Sequence, residues 1–256
     1  MIEIRSVELV ADDGTEILRR VDLTIERGEC VALIVKSGAG KSSTLRLING
    51  LSRPTRGEVI VEGVRLDGHD LVALRRRIGY VIQQVGLLPH LDVAENVAIV
   101  PRLLGWPRAR TQSRVDEVLS LVGLDPKRFR DRRPSALSGG ERQRVGVARA
   151  LAAEPSIVLM DEPFGAVDPL IRGELQRDVD ALRKKLGTTL VLVTHDVREA
   201  MLMADRLVLI DEGTVAFAGT AAELLRSTAK TARAYADSLI ASWRATGERM
   251  AEGGIA

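Results

Sequence analysis

The stretch that most limits the fold of this chain is Val31-Ala-Leu-Ile-Val-Lys-Ser-Gly-Ala-Gly-Lys-Ser-Ser43. Its apolar start, Val31 to Val35, predicts a strand buried on both faces, as in a parallel sheet. The run breaks into Ser37, Gly38, Ala39 and Gly40. Lys41, Ser42 and Ser43 then open a segment whose Thr44, Leu45, Leu47 and Ile48 suit a helix ending near Gly50. A small-residue loop between a strand and a helix lets backbone N–H groups close around phosphate oxygens, and the helix adds its positive N-terminal dipole. Lys41 would reach the β- and γ-phosphates of a nucleotide, and Ser42 would ligate Mg²⁺. One position departs from the pattern G-x-x-x-x-G-K-[ST]: counting back from Gly40 puts Val35 where its first glycine belongs.

Two further apolar runs end in polar groups. Ile157 to Met160 leads into Asp161-Glu162-Pro163, and Leu190 to Thr194 leads into His195. Buried parallel strands deliver reactive groups at their C-terminal ends. Asp161 suits water-mediated Mg²⁺ binding, and Glu162 suits a base that orients or deprotonates an attacking water. Neighbouring carboxylates repel unless a cation or partner is near, which argues against a simple polar turn. His195 shares the strand-end edge with them and reads as a γ-phosphate contact. In Leu137-Ser-Gly-Gly-Glu-Arg-Gln-Arg144, the Ser138 hydroxyl and the backbone at Gly139 and Gly140 form another anion site at a helix start; taken alone, the octet also describes a capped surface helix.

The rest of the chain supplies the frame. Residues 2–10 and the segment with Val21, Leu23 and Ile25 alternate like half-buried antiparallel strands, and Glu58 to Leu66 reads as a strand or hairpin. Ile78 to Ile82 is a strand ending at Gln83-Gln84. Residues 86–156 then read as mostly helical. Asp92 and Glu95 form a capping-box pattern ahead of Val93, Val97, Val100 and Leu104, and Val115, Val118, Leu119 and Val122 make an amphipathic stripe closed by Gly123. Asp168-Pro169 starts a long helix carrying Leu175, Val179, Leu182 and Leu186 and stopped by Gly187. Asp196 and Glu199 cap the next one, and Thr220 and Glu223 another. Tyr235, Leu239 and Trp243 recur every four residues, which predicts a tail helix packing back on the body.

Composition narrows the function classes. A net charge of +2 leaves no nucleic-acid footprint. The single cysteine, Cys30, forms no intrachain disulfide, suits a reducing cytosol and sits at the start of an apolar strand, where it reads as inert core. The N-terminus alternates like a strand rather than a signal peptide. No apolar run approaches the roughly 18 residues of a membrane helix, so membrane association is expected through a partner.

Taken in order, the phosphate-binding loop, Gln83, Leu137-Ser-Gly-Gly140, Asp161-Glu162, Gly165-Ala-Val-Asp168 and His195 resemble the ATP-binding subunit of ABC transporters over about residues 1–225. Ile78-Gly-Tyr-Val-Ile-Gln-Gln84, Leu87-Leu-Pro-His90, Val100-Pro-Arg-Leu-Leu-Gly-Trp106 and Arg144-Val-Gly-Val-Ala-Arg-Ala150 are similar to importers of glycine betaine, choline and related osmoprotectants. The resemblance implies an α/β fold: a P-loop NTPase core with a mostly parallel sheet, an N-terminal antiparallel β subdomain and an inserted helical subdomain. Residues 1–85 and 157–226 would form the core with its antiparallel part, 86–156 the helical insertion and 227–256 a helical tail.

It further implies that two copies sandwich two ATP molecules, each held by the loop and Ser43 of one copy and by Ser138, Gly139 and Gly140 of the other. Gln83 would contact Mg²⁺ and the attacking water, and Asp168 would let the two sites sense each other. Residues near 86–106 would receive a helix from an integral membrane permease, at the cytoplasmic face of a bacterial cell membrane. A separate substrate-binding protein would read the solute. Besides Val35, the chain departs from the family in having no aromatic residue near Asp12-Asp13 to stack on adenine, and its tail is too short for the paired CBS domains of many osmoprotectant members. The competing expectations are a docking subunit whose nucleotide binding Val35 impairs, the ATPase of an importer for another small solute, and a soluble relative acting in repair or translation.

Overall fold

The computed structural model describes residues 1–35, 41–68 and 70–252; of residues 35, 41 and 242–252 only the backbone is described. Strands β1 (Ile2–Val10), β2 (Glu16–Ile25), β4 (Arg56–Val61) and the two-residue β5 (Val64–Arg65) form an antiparallel sheet in the order β2-β1-β4-β5. The expected alternation holds: Ile2, Ile4, Val7, Val21, Leu23 and Ile25 all face the core.

The second sheet has the order β10-β9-β3-β8-β7-β6, built from β3 (Cys30–Val35), β6 (Ile78–Val81), β7 (Ile157–Asp161), β8 (Thr189–Thr194), β9 (Arg206–Asp211) and β10 (Thr214–Gly219). The five strands from β9 to β6 run parallel, and β10 pairs antiparallel at the edge. Every residue of β7 and β8 is buried, because helices or the other sheet cover both faces.

Helix α1 (Lys41–Ile48) lies against β3, β7 and β8 and also touches β4. Its Leu45, Leu47 and Ile48 therefore join one apolar cluster with Ile4 and Val21 of the first sheet and Leu33 and Val193 of the second. The short α2 (Leu71–Arg77), N-capped by Asp70, leads into β6.

Helices α3 (Val93–Leu103), α4 (Arg108–Leu121), α5 (Pro126–Phe129) and α6 (Gly139–Leu151) follow β6. Their core is continuous with one face of the parallel sheet: Val97, Val115, Leu119 and Val145 share a cluster with Val81, Met160 and Leu192. The α4 stripe is buried as patterned. On α3 the buried face is Val93, Asn96, Val97, Ala98 and Pro101, while Leu104, expected on that face, is the exposed C-cap. Pro101 cannot continue the hydrogen-bond ladder, and the helix ends within a turn of it.

Helices α7 (Pro169–Leu186), α8 (Val197–Met203), α9 (Ala221–Arg226) and α10 (Lys230–Glu252) complete the chain. Gly187 ends α7 in the left-handed conformation at φ 63°. Leu186, expected in the α7 stripe, is exposed. The first part of the tail packs back: Ala232, Ala236 and Leu239 are buried, and Thr231 Oγ1 donates to Asp211 at 2.9 Å, while the Trp243 side chain lies outside the described residues. Cys30 is fully buried at the start of β3, which pushes its thiol up to about 12 and makes it inert at neutral pH.

Candidate nucleotide site at the strand ends

Ser37, Gly38, Ala39 and Gly40 lie outside the described residues. What flanks them is defined. Val35 is the last residue of β3 and pairs with Ile210 of β9, so its backbone is extended. Six residues later α1 begins at Lys41, and Ser42 and Ser43 occupy its first turn.

The ends of β7 and β8 meet that turn. Ser42 Oγ donates to Asp161 Oδ2 at 2.5 Å, which places a hydroxyl and a buried carboxylate side by side. Both are hard oxygen donors of the kind Mg²⁺ prefers. Among the described residues, no three His, Cys, Asp or Glu side chains cluster tightly enough to hold a metal ion by themselves. An ion here would draw its remaining ligands from a nucleotide and water, as Mg²⁺ commonly does.

Glu162 follows in a left-handed backbone conformation, φ 47°. For a non-glycine residue this costs about 1–3 kcal/mol and persists only where neighbours enforce it. Here Glu162 N–H donates to Val193 C=O of the adjacent strand at 2.9 Å, and Gln143 Nε2 of α6 donates to Glu162 C=O at 3.4 Å. The twist turns the Glu162 side chain along the sheet edge toward β8, where its Oε1 lies 3.1 Å from His195 Nδ1. With Nδ1–H donating to Glu162, Nε2 is the nitrogen left for a ligand on a ring that is 65% exposed.

The remaining candidates lie on other elements. Gln83 is exposed just beyond β6. Ser138 is the N-cap of α6 in a reciprocal capping box: its Oγ accepts from Glu141 N–H, and its own N–H donates to the Glu141 carboxylate at 2.7 Å, which holds that carboxyl below the usual range. Gly139 and Gly140 form the first turn. A Cβ on Gly140 would come within 2.9 Å of the Ala166 carbonyl, so the glycine lets α6 approach the loop that carries Asp168. Asp168 N-caps α7, accepting from Leu170 N–H at 2.8 Å. The structure thus brings Ser42 to Asp161 and Glu162 to His195, while Ser138 and Asp168 are the N-caps of α6 and α7.

The sequence reading missed two groups. Gln143 lies one turn into α6 and holds the Glu162 carbonyl. Glu199, expected to close a capping box with Asp196, turns inward to Thr194 and Gln176. Its signal was its spacing: it lies four residues before the buried Met203, on the same face of α8.

The sequence signature described as ABC transporter matches residues 18–165. The chain belongs to the ABC transporter family. It is 44% identical over 229 residues to the glycine betaine/carnitine/choline transport ATP-binding protein OpuCA of Bacillus subtilis, covering 90% of this chain and 60% of that protein. It therefore spans less than two thirds of that relative. It is also 44% identical over 249 residues to the glycine betaine uptake system ATP-binding protein YehX of Escherichia coli, covering 91% of this chain and 80% of that one. Among solved structures, the dimeric ATP-binding cassette MJ0796 in a post-hydrolysis state with ADP and Pi superposes with a TM-score of 0.79 at 33% identity, covering 86% of this chain and 98% of that one. Among the described residues of this ABC transporter chain, no helix is long and apolar enough to cross a membrane.

Proposed function

We propose that the chain is the ATP-hydrolysing subunit of an importer for glycine betaine, choline or a related osmoprotectant, bound at the cytoplasmic face of a bacterial membrane. The observation that carries the ATPase reading is the pairing at two adjacent strand ends, Ser42 with Asp161 and Glu162 with His195. The solute class is supported by the names of the relatives at 44% identity.

In this reading Ser37, Gly38, Ala39, Gly40, Lys41 and Ser43 bind the phosphates. Ser42, Asp161 and Gln83 hold Mg²⁺, directly or through water, and the ion supplies neutralisation of phosphate charge. Glu162 orients or deprotonates the attacking water, and His195 Nε2 faces the γ-phosphate. The exposed N-terminus of α6, with Ser138, Gly139 and Gly140, meets the nucleotide of a second copy, and Asp168 lies between the two sites. The dimeric arrangement of the related cassette supports this sharing. A groove of about 320 Å³ between the β6 edge, α3 and α6, lined by Tyr80, Leu88, Ile99, Val100 and Arg149, is the seat for a short helix of the permease subunit. A substrate-binding protein reads the solute, and no nucleic acid is involved.

The test is ATP turnover by the purified chain with and without Mg²⁺, followed by ATP-driven uptake of labelled glycine betaine in vesicles carrying the permease subunit of an osmoprotectant importer. Mg²⁺-dependent hydrolysis and choline-competed uptake are expected. Absence of hydrolysis with the permease present overturns the ATPase reading; hydrolysis stimulated by an unrelated solute overturns the osmoprotectant reading alone.

A further inference from the structure

Glu199 is a carboxylate in the wrong place for a surface helix. It is 9% exposed, on the inner face of α8, between β8 and α7. Two donors converge on it. Thr194 Oγ1 donates to Glu199 Oε2, and Gln176 Nε2 of α7 donates to Oε1 at 3.3 Å. Thr194 is doubly used, since its Oγ1 also accepts from Asp196 N–H at 3.0 Å. A hydroxyl has one proton, so the bond from Asp196 leaves that proton directed at Glu199. The bond from Asp196 to Thr194 spans His195, joining the residues on either side of it, and the bond from Thr194 to Glu199 ties that turn to α8. On α7, Arg172 stands one turn before Gln176, and its Nη2 donates to the Val167 carbonyl at 2.9 Å, beside Asp168.

Burying a carboxylate costs several kcal/mol unless its hydrogen bonds are made. Burial raises the Glu199 carboxyl above its ordinary range, against the bonds from Thr194 and Gln176 that lower it. An apolar residue would fill this face of α8 at less cost, so packing alone does not account for a carboxylate. It does supply one acceptor that joins β8, the turn at His195 and the helix that starts at Asp168.

We propose that Glu199, through Thr194 and Gln176, is a positioning residue for ATP hydrolysis, holding the strand-end turn so that His195 faces Glu162 and the nucleotide. This rests on the role given above to His195. Glu199 touches no reacting atom, and its effect passes through the placement of the imidazole. Displacements of about 1 Å in a reacting group can cost up to 10²-fold in rate. Glu199→Ala removes the acceptor for both donors. Glu199→Gln keeps an acceptor for Thr194, and Gln176 can turn its amide to present oxygen.

The experiment measures kcat and KM for ATP in the full chain carrying Glu199→Ala, Glu199→Gln, Gln176→Leu, His195→Ala and the double variant Glu199→Ala/His195→Ala, with thermal melting of each. The expected result is a kcat loss of about 10-fold in Glu199→Ala with KM for ATP held within about 2-fold, a smaller kcat loss in Gln176→Leu, and near wild-type turnover in Glu199→Gln. In the His195→Ala background, Glu199→Ala should cost little more, because both act through one group. Unchanged kcat in Gln176→Leu and Glu199→Ala, with His195→Ala impaired, overturns the inference alone. So does a full additional loss in the double variant, which would mean that Glu199 supports the fold rather than His195. Wild-type turnover in His195→Ala overturns the reading of His195 and this inference with it. Should Glu199→Ala melt too low to assay, Gln176→Leu and Glu199→Gln decide the question by the same split between kcat and KM.

Discussion

Glu162 and His195 stand at the ends of neighbouring parallel strands with Oε1 and Nδ1 3.1 Å apart, and the contact depends on the left-handed backbone of Glu162. An extended Glu162 would continue the strand and lose the turn toward β8. The site is thus set by one backbone conformation and by the order of two strands, β7 beside β8.

Glu162→Gln keeps the size and hydrogen-bonding reach of the side chain and removes its basicity. ATP hydrolysis is expected to slow by about 10²–10⁴-fold, the scale of a lost general base. ATP should still bind and hold two copies together, read by light scattering with Mg·ATP. Turnover within a few-fold of the unaltered chain would remove Glu162 from the chemistry.

Ser138→Arg tests whether the α6 N-terminus serves a second copy. The change removes an N-cap, worth about 1 kcal/mol, from a 13-residue helix that is otherwise buried along Val145, Val147 and Ala148, so the fold should survive. Monomer affinity for ATP is expected to stay nearly intact while ATP-driven dimerisation disappears. A loss of monomer binding as severe as that of Lys41→Ala would contradict the shared site.

Val35 holds the position of the first loop glycine, yet it ends β3 and is paired with Ile210. A β-branched residue is comfortable in extended backbone and strained only at positive φ. Val35→Gly is therefore expected to change ATP affinity by less than about tenfold, equivalent to 1.4 kcal/mol. Equilibrium nucleotide binding on both proteins measures it, and a tenfold or larger gain would favour an impaired docking subunit.

Gly79 in β6 tests how tightly the helices are fitted to the sheet. A Cβ there would lie 2.3 Å from the Ala150 carbonyl and 3.1 Å from its carbon, both backbone atoms of α6. Gly79→Ala should destabilise the chain by about 1–3 kcal/mol through forced separation of β6 and α6. A urea midpoint equal to that of the unaltered protein would show that α6 can shift freely.

Much of this was legible in the sequence because it is local. The capping boxes at Asp92 with Glu95, Ser138 with Glu141 and Thr220 with Glu223 each close a ring of a few residues, so the side chains that satisfy the helix N-terminus are covalently near it. The apolar runs at 31–35, 157–160 and 190–193 declare their strands, and period-2 alternation marks β1 and β2. The strand-end carboxylates and His195 were likewise visible, since a polar residue closing a buried run has one plausible location.

Only the tertiary structure decided which of these ends are neighbours. The order β9-β3-β8-β7-β6 is not chain order, and it puts Ser42 beside Asp161 across 119 positions of sequence. The same Asp-x-x-Glu spacing that makes a capping box at residue 92 is half realised at residue 196: Asp196 accepts from the Arg198 and Glu199 N–H groups, but Glu199 does not reach back, because Thr194 and Gln176 of α7 donate to its carboxylate instead. Leu104 and Leu186 fall outside the core for a related reason: periodicity says which residues share a face, and the length of the covering element says how far along the helix that face stays buried. Local hydrogen-bond rings and strand patterns are written into neighbouring residues; the partners of a buried side chain are set by long-range packing, whose outcome no short window of sequence contains.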